Sequence, residues 1–316
     1  MNIARNFLLS LFLIAGFFPT HLSSQDFEGE IKYKIKRLPK VDTENFDNIL
    51  DQQHGTSMTY LISKNRYKAS HYKGGEFQYA YLYTGDQQKM YDIYADKEYI
   101  SFRDSRRANY KYKSSTIFQD STIDVLGHSC YMVLSKSEYG TSKTYYSEDI
   151  RINPENFEGH KVGNWYEKLK EVKGALSMKT ITEKETYYEV REVVAITPRK
   201  VKDEEFALPQ KPIAASYDAL DKQADLSPPD PKAIRCYQKK ISSASKAGGE
   251  KFTTYVSFFL NASGESQYFE VVEEDKDGFY EIAIDAVKNC GFEFTPGEID
   301  GKAISSVVYF PVEFLR

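Results

Sequence analysis

Few residues in this chain are spaced for chemistry. Beyond His21 near the start, the histidines are His54, His71, His128 and His160, scattered along the sequence. His128 and Cys130 stand two apart, so a strand would turn both to one face and offer two metal ligands. No second pair follows at a metal-like spacing, and no metal centre is expected. A Ser, a His and an Asp can be drawn from so long a chain, but no Gly-x-Ser-x-Gly elbow marks a nucleophile. There is no Gly-x-Gly-x-x-Gly turn and no phosphate loop. The acidic runs "DEEF" (203–206) and "EEDKD" (273–277) match no calcium-loop spacing and read as solvated charge. No cofactor and no enzymatic activity are expected.

What remains is aromatic. The chain has 25 Tyr, many in alternating segments that favour a pleated, half-buried surface. Tyr79, Tyr81 and Tyr83 share one face of a strand, and Tyr91 follows on the next with Ile93. They form either the wall of a ligand cavity or an aromatic core whose hydroxyls reach solvent at the rim. Cys236 and Cys290 fall in one C-terminal segment, as a disulfide or as two buried thiols. Cys130 then reads as a small apolar core residue.

The elements that must position these residues are mostly strands. The opening "MNIARNFLLSLFLIAGFFPTHLSSQDF" has a basic Arg5, an apolar run from Phe7 to Phe18 and small residues at Leu22-Ser23-Ser24. As helix that run spans about 18 Å, short of a ~30 Å hydrocarbon core, so residues 1–24 read as a cleaved signal peptide, with a retained anchor as the alternative. "FEGEIKYKIKR" then alternates apolar and charged residues with a period of two. A polar stretch from Leu38 to Gly55 follows, read as a loop or short helix. Strand-like runs recur through "TYYEVREVVAI", punctuated by turns at Gly74-Gly75, Gly85-Asp86 and Gly127 and by one short amphipathic helix, "WYEKLKEVKG".

Five of the 11 prolines lie between Pro209 and Pro231, marking 210–231 as a linker between residues 25–209 and 232–316. After it the order is α-β-β-α-β, with a hairpin turning at Asn261-Ala262-Ser263-Gly264. The expected fold is thus a β-rich N-terminal antiparallel half-barrel plus a small α+β C-terminal domain. Without residues 1–24 the chain loses one of 42 basic residues and none of 46 acidic ones, leaving a net charge of −5. That balance argues against a nucleic-acid partner, which would want a basic face.

The C-terminal segment, 232–316, resembles the TonB C-terminal domain. The resemblance rests on the hairpin at Gly264, the helix alanine Ala286, the turn Phe294-Thr295-Pro296, the pair Gly301-Lys302, and a last strand ending Val312-Glu313-Phe314. It implies a structural turn at Pro296, Gly297 and Gly301. It also implies a closing strand, through Ile304, Ser306, Val307, Val308, Tyr309 and Phe310, that lends its edge to an envelope protein such as an outer-membrane receptor. Residues 27–209 resemble the outer-membrane lipoprotein-carrier (LolA/LolB-like) superfamily in "FEGEIKYKI", "VLGHSCYMV", "TYYSEDIRINP" and "KVKDEEFALP". That resemblance implies a half-barrel around a cavity for an acyl or apolar ligand. The expectation is a periplasmic or secreted binding or adaptor protein, possible outer-membrane association included. The alternatives are a lipid or lipoprotein carrier, or an energy-transducer component if the leader is retained.

Overall fold

The computed structural model describes residues 26–41, 55–107, 112–137, 140–245, 249–272 and 278–315. The expected signal peptide, most of the 38–55 stretch and the acidic run at 273–277 lie outside the described residues. Among those described, no helix is long and apolar enough to cross a membrane.

The first six strands form an antiparallel meander: β1 (Gly29–Pro39), β2 (Ser57–Ser63), β3 (Arg66–Lys73), β4 (Glu76–Thr84), β5 (Lys89–Tyr94) and β6 (Ile100–Asp104). A second run follows: β7 (Tyr112–Val125), β8 (His128–Ser137), β9 (Gly140–Arg151), helix α1 (Trp165–Glu171), β10 (Ala175–Glu183) and β11 (Tyr187–Pro198). β11 returns to pair with β1, joining the two runs into one open sheet. Alternation does the sorting. In β1, Ile31, Tyr33, Ile35 and Arg37 are buried while Lys32, Lys34 and Lys36 alternate with them toward solvent. The buried set meets Phe157, Leu169 of α1 and Leu176 in the inner core. The other face carries Ala80, Leu82, Tyr91, Ile93, Ile100 and Phe102, covered by Val201, Phe206 and Leu220.

The remaining elements are β12 (Ile213–Ala215), β13 (Asp225–Leu226), α2 (Pro231–Ala244), β14 (Lys251–Leu260), β15 (Ser266–Val271), α3 (Phe279–Asn289), β16 (Phe294–Thr295), β17 (Gly297–Ile299), β18 (Lys302–Ile304) and β19 (Ser306–Leu315). Asp230 caps α2, its carboxylate accepting from the Lys232 N–H at 2.6 Å. Asn261 closes the β14–β15 turn, its Oδ1 accepting from the Ser263 and Glu265 N–H groups. α2 and α3 are joined by a Cys236–Cys290 disulfide and by the Lys240–Asp285 ion pair. Their apolar faces pack on Phe258, Val312 and Phe314.

Two features differ from the sequence expectation. The C-terminal strands do not close a sheet of their own. β15, β14 and β19 extend the same fifteen-stranded sheet, in the order β15-β14-β19-β12-β6-β5-β4-β3-β2-β1-β11-β10-β9-β8-β7. The join is made inside the proline-rich stretch: β12 runs parallel to β6 at Ile213–Ala215 and bridges to Ser306 of β19. Composition marked 210–231 as a spacer because prolines disfavour sheet interiors. Here they flank the strand-forming triplet Ile213-Ala214-Ala215 and leave its own donors free to pair.

The second difference concerns Ile304, expected in the closing strand. It belongs to β18, in a hairpin with β17 that turns through Asp300 and Gly301, both at positive φ. Gly297 at the start of that hairpin packs close on Leu220, whose Cδ1 a Cβ there would approach to 2.8 Å.

Candidate functional site

The ladders of β1 through β5 align residues in rows across the inner face. One row reads Tyr33, Met58, His71, Tyr79, Tyr94; the next reads Ile31, Tyr60, Ala69, Tyr81, Asp92. Neighbours directly opposite in such ladders have Cβ atoms about 5 Å apart, close enough for rings to touch. His71 stacks on Tyr79 with centroids 4.3 Å apart, and Tyr60 lies against Tyr67 at 5.0 Å. Ala69 sits amid these rings with a single methyl group. With them it lines a cavity of about 430 Å³.

Helix α1 forms the opposite wall. Trp165, Lys168, Leu169 and, just past the helix, Val172 stand at i, i+3, i+4 and i+7, a stripe that faces the cavity. Trp165 lies over Tyr67 at 5.3 Å and over His160 at 5.1 Å, the latter ring pair nearly parallel at 12°. His160 is buried, its Nε2 2.6 Å from the Tyr67 hydroxyl. Burial pushes the His160 pKa down to about 3 and the Tyr67 phenol up, so both are neutral at ordinary pH. Tyr33 donates its hydroxyl to the Ser177 carbonyl at 2.9 Å. Burial pushes Tyr33 up to about 12, against the pull of that bond and of the nearby Arg191 guanidinium. Tyr79 is likewise pushed up to about 12 by burial.

Polar side chains share the wall with the rings, His71 and Ser177 among them. Lys168 and Arg191 reach the cavity, the latter from the β11 position opposite Ile35. Beyond Tyr81 the inner row ends at Asp92, buried and held 2.5 Å from Arg103. Burial raises the Asp92 pKa, with Arg103 opposing the shift. The arrangement can hold an apolar body between aromatic rings and aliphatic side chains.

The residues named from sequence fall in different places. Tyr79 and Tyr81 line the cavity. Tyr83 shares their face but is sealed within the core, stacked on His160 at 4.4 Å. Tyr91 is opposite Leu82 and therefore on the other face, packed against Phe102 at 6.1 Å. The expectation that it lines a cavity is corrected by the register of the β4–β5 ladder. Cys130 is buried, its Sγ donating to the His128 carbonyl at 3.3 Å, while the His128 ring turns to Asp149 at 3.1 Å. Burial pushes the Cys130 thiol up to about 11. Sequence reasoning did not find Tyr33, Tyr60, Tyr67, Ala69, Trp165, Lys168 or Arg191. The signal for Trp165 was present: the chain's single tryptophan opens its short amphipathic helix.

The closing strand has its own geometry. Val307 is buried, Val308 and Phe310 turn toward the C-terminal core, and Tyr309 is exposed. β19 pairs with β14 along its whole length, from Ser306 opposite Leu260 to Leu315 opposite Lys251. In an antiparallel ladder alternate residues direct their N–H and C=O groups to the other side. Two bonds identify those residues as the odd-numbered ones. Ser305 accepts from the Ala215 N–H, and Leu315 donates to the Ser245 Oγ at 3.0 Å. Pro311 has no N–H. Helix α2 and β12 thus cover both ends of the outer edge, and its open middle is centred on Tyr309.

No protein-family model and no curated protein matches the chain. Among solved structures it is similar to lipoprotein LppX of Mycobacterium tuberculosis (TM-score 0.27, 9% identity, 55% of this chain and 90% of that one). It is similar also to a LolA-superfamily protein from Nitrosomonas europaea (TM-score 0.28, 11% identity, 58% of this chain and 91% of that one). A third similar structure is PNGF-II (TM-score 0.38, 10% identity); the match takes in 92% of this chain and 61% of PNGF-II.

Proposed function

We propose that the chain is an exported binding protein that takes an apolar, acyl-chain-like ligand between the inner sheet face and α1. The observation that carries this reading is the cavity of about 430 Å³ over Ala69, walled by Tyr33, Tyr60, Tyr67, Tyr79, Trp165 and Leu169. Its volume lies in the range of small-molecule sites, ~300–1,000 Å³, and its lining mixes aromatic rings and aliphatic side chains with polar groups such as His71, Ser177, Lys168 and Arg191. Ala69 stands between Tyr60 and Tyr81 in its row, and an unfilled space of this size forfeits the dispersion contacts that a packed core makes. A ligand would restore them. The outer edge of β19, with its ends already covered, does not support strand capture as the main role.

Trp165 gives the test. Being the sole tryptophan and part of the cavity wall, it reports directly on occupancy. The whole mature chain, delipidated and titrated with dibrominated stearate, should show saturable quenching of tryptophan fluorescence. An unchanged signal, together with no acyl material extracted from protein purified without delipidation, would overturn the reading.

A further inference from the structure

We infer that a second recess on the inner sheet face, where β5, β6, β12 and β19 meet, is a subsite for a neutral sugar ring. The recess has a volume of about 350 Å³ and shares no lining residue with the cavity over Ala69. Its position follows from the ladders. Asp92 stands opposite Tyr81 and therefore faces inward, and Ser101 of β6 stands opposite Asp92. Arg103, two residues further along β6, shares the face of Ser101 and holds the Asp92 carboxylate at 2.5 Å. These three side chains form the floor. The turn Tyr217–Ala219 closes one end, fixed by the Ser216 N–H, which donates to the Phe102 carbonyl at 2.7 Å. Val307 and Tyr309 of β19 close another side.

The lining differs in kind from that of an acyl site. Val307 alone among the lining residues is aliphatic, and the remaining apolar surface comes from tyrosine rings. Tyr217 and Tyr309 are exposed and Tyr94 is half-buried. Tyr99 is buried and held in place, its hydroxyl donating to Glu270 Oε1 at 3.1 Å. The charged groups are in balance. Among the lining residues Asp92 and Asp218 are matched by Lys97 and Arg103, and Lys97 is itself paired with Glu270 at 2.9 Å. Such a lining has no net field to select an ion. It suits hydroxyl groups, each of which donates once and accepts twice and so bridges a carboxylate to a cation. A pyranose ring carries hydroxyls around its edge and C–H groups on its faces, and tyrosine rings pack against such faces while their phenol groups stay wet. The Asp92–Arg103 pair points the same way. A buried ion pair adds little net stability over apolar side chains of the same volume, so packing does not account for it, whereas a polar ligand does.

The experiment is saturation-transfer NMR on the whole mature protein. The probes are neutral oligosaccharides of glucose, galactose, mannose and N-acetylglucosamine, with oligogalacturonate as the anionic counterpart. At least one neutral member should bind saturably and more tightly than oligogalacturonate. Replacing both exposed rings, Tyr217→Ala with Tyr309→Ala, should weaken that binding about tenfold, the size of one or two aromatic contacts. Saturating sugar should leave Trp165 emission unchanged, because Trp165 lines the other cavity. Unchanged affinity in a folded double variant, or a shift of Trp165 emission, would place the sugar elsewhere and overturn the inference. Preference for the acidic oligomer would overturn it too, as would the lack of saturable binding by every neutral member. The wild-type panel needs no variant, so a misfolded variant cannot decide the outcome. Dibrominated stearate is absent from these measurements, so their failure leaves the acyl-ligand reading to its own test.

Discussion

The Tyr67 hydroxyl and His160 Nε2 lie 2.6 Å apart, a neutral pair sealed beneath Trp165 and stacked against Tyr83. The pair ties the loop before α1 to the middle of the sheet, so the roof of the cavity rests on it. Its protonation has a clear sign. The folded-state pKa of His160, about 3, is below the ordinary 6.5. Between those values the unfolded chain binds a proton that the folded chain does not. Stability is therefore fully present above pH 6.5 and falls as pH drops toward 3, by up to about 1.4 kcal/mol per unit. Urea unfolding at pH 7 and pH 4.5 should show the loss, and His160→Phe should flatten it. An equal slope in the variant would sink this account.

Ala69→Phe tests whether the hollow is a site or a packing fault. A ring at that position fills the space between Tyr60 and Tyr81. Quenching by dibrominated stearate should disappear, while stability changes by no more than the ~1–3 kcal/mol usual for added core volume. Retained binding in a folded variant would place the ligand elsewhere.

The Cys236–Cys290 bond closes a loop with a sequence separation of 54. By chain entropy a loop of that length stabilises the folded state by about 4 kcal/mol. Paired Cys236→Ser and Cys290→Ser changes should lower the urea midpoint accordingly, most visibly in probes of α2 and α3. Alkylation that adds the same mass with and without reductant would show that the bond does not form.

Proline scanning distinguishes the two edges of β19. Val308 directs its N–H to β14 and Tyr309 directs its own outward, as the alternation shared with Pro311 requires. Val308→Pro should destabilise the protein by at least one ladder hydrogen bond, about 1 kcal/mol, and more through the strand distortion. Tyr309→Pro should be much milder, since Pro311 already occupies an equivalent position. Thermal unfolding of the two variants gives the comparison, and the reverse order would refute the assigned register.

The sequence was most legible where one periodicity governed one element. The alternation of Ile31, Tyr33 and Ile35 and the hairpin at Asn261 reappear in the structure, because each depends on residues a few positions apart. The cavity was legible only in part. Tyr79 and Tyr81 were visible as one face of a strand, but whether that face meets Tyr91 depends on the register between strands. Nothing within β4 or β5 alone determines that register. Ala69 could not have been singled out by type, since its importance lies in what surrounds it across two ladders. The join through β12 was hidden for a related reason: three residues carry too short a pattern to read, and the prolines around them point the other way.

That join has a mechanical meaning. Ile213 to Ala215 place a parallel strand between β6 and β19, so the two ends of the molecule share backbone hydrogen bonds rather than only side-chain contacts. Cutting the chain near residue 210 would leave two raw strand borders, Ile100–Phe102 on one fragment and the β6-facing side of Ile213–Ala215 on the other. Such borders are templates for self-association. The fragments would be adhesive halves of one fabric, and the seam that looked like a tether is what keeps either half from sticking to its neighbours.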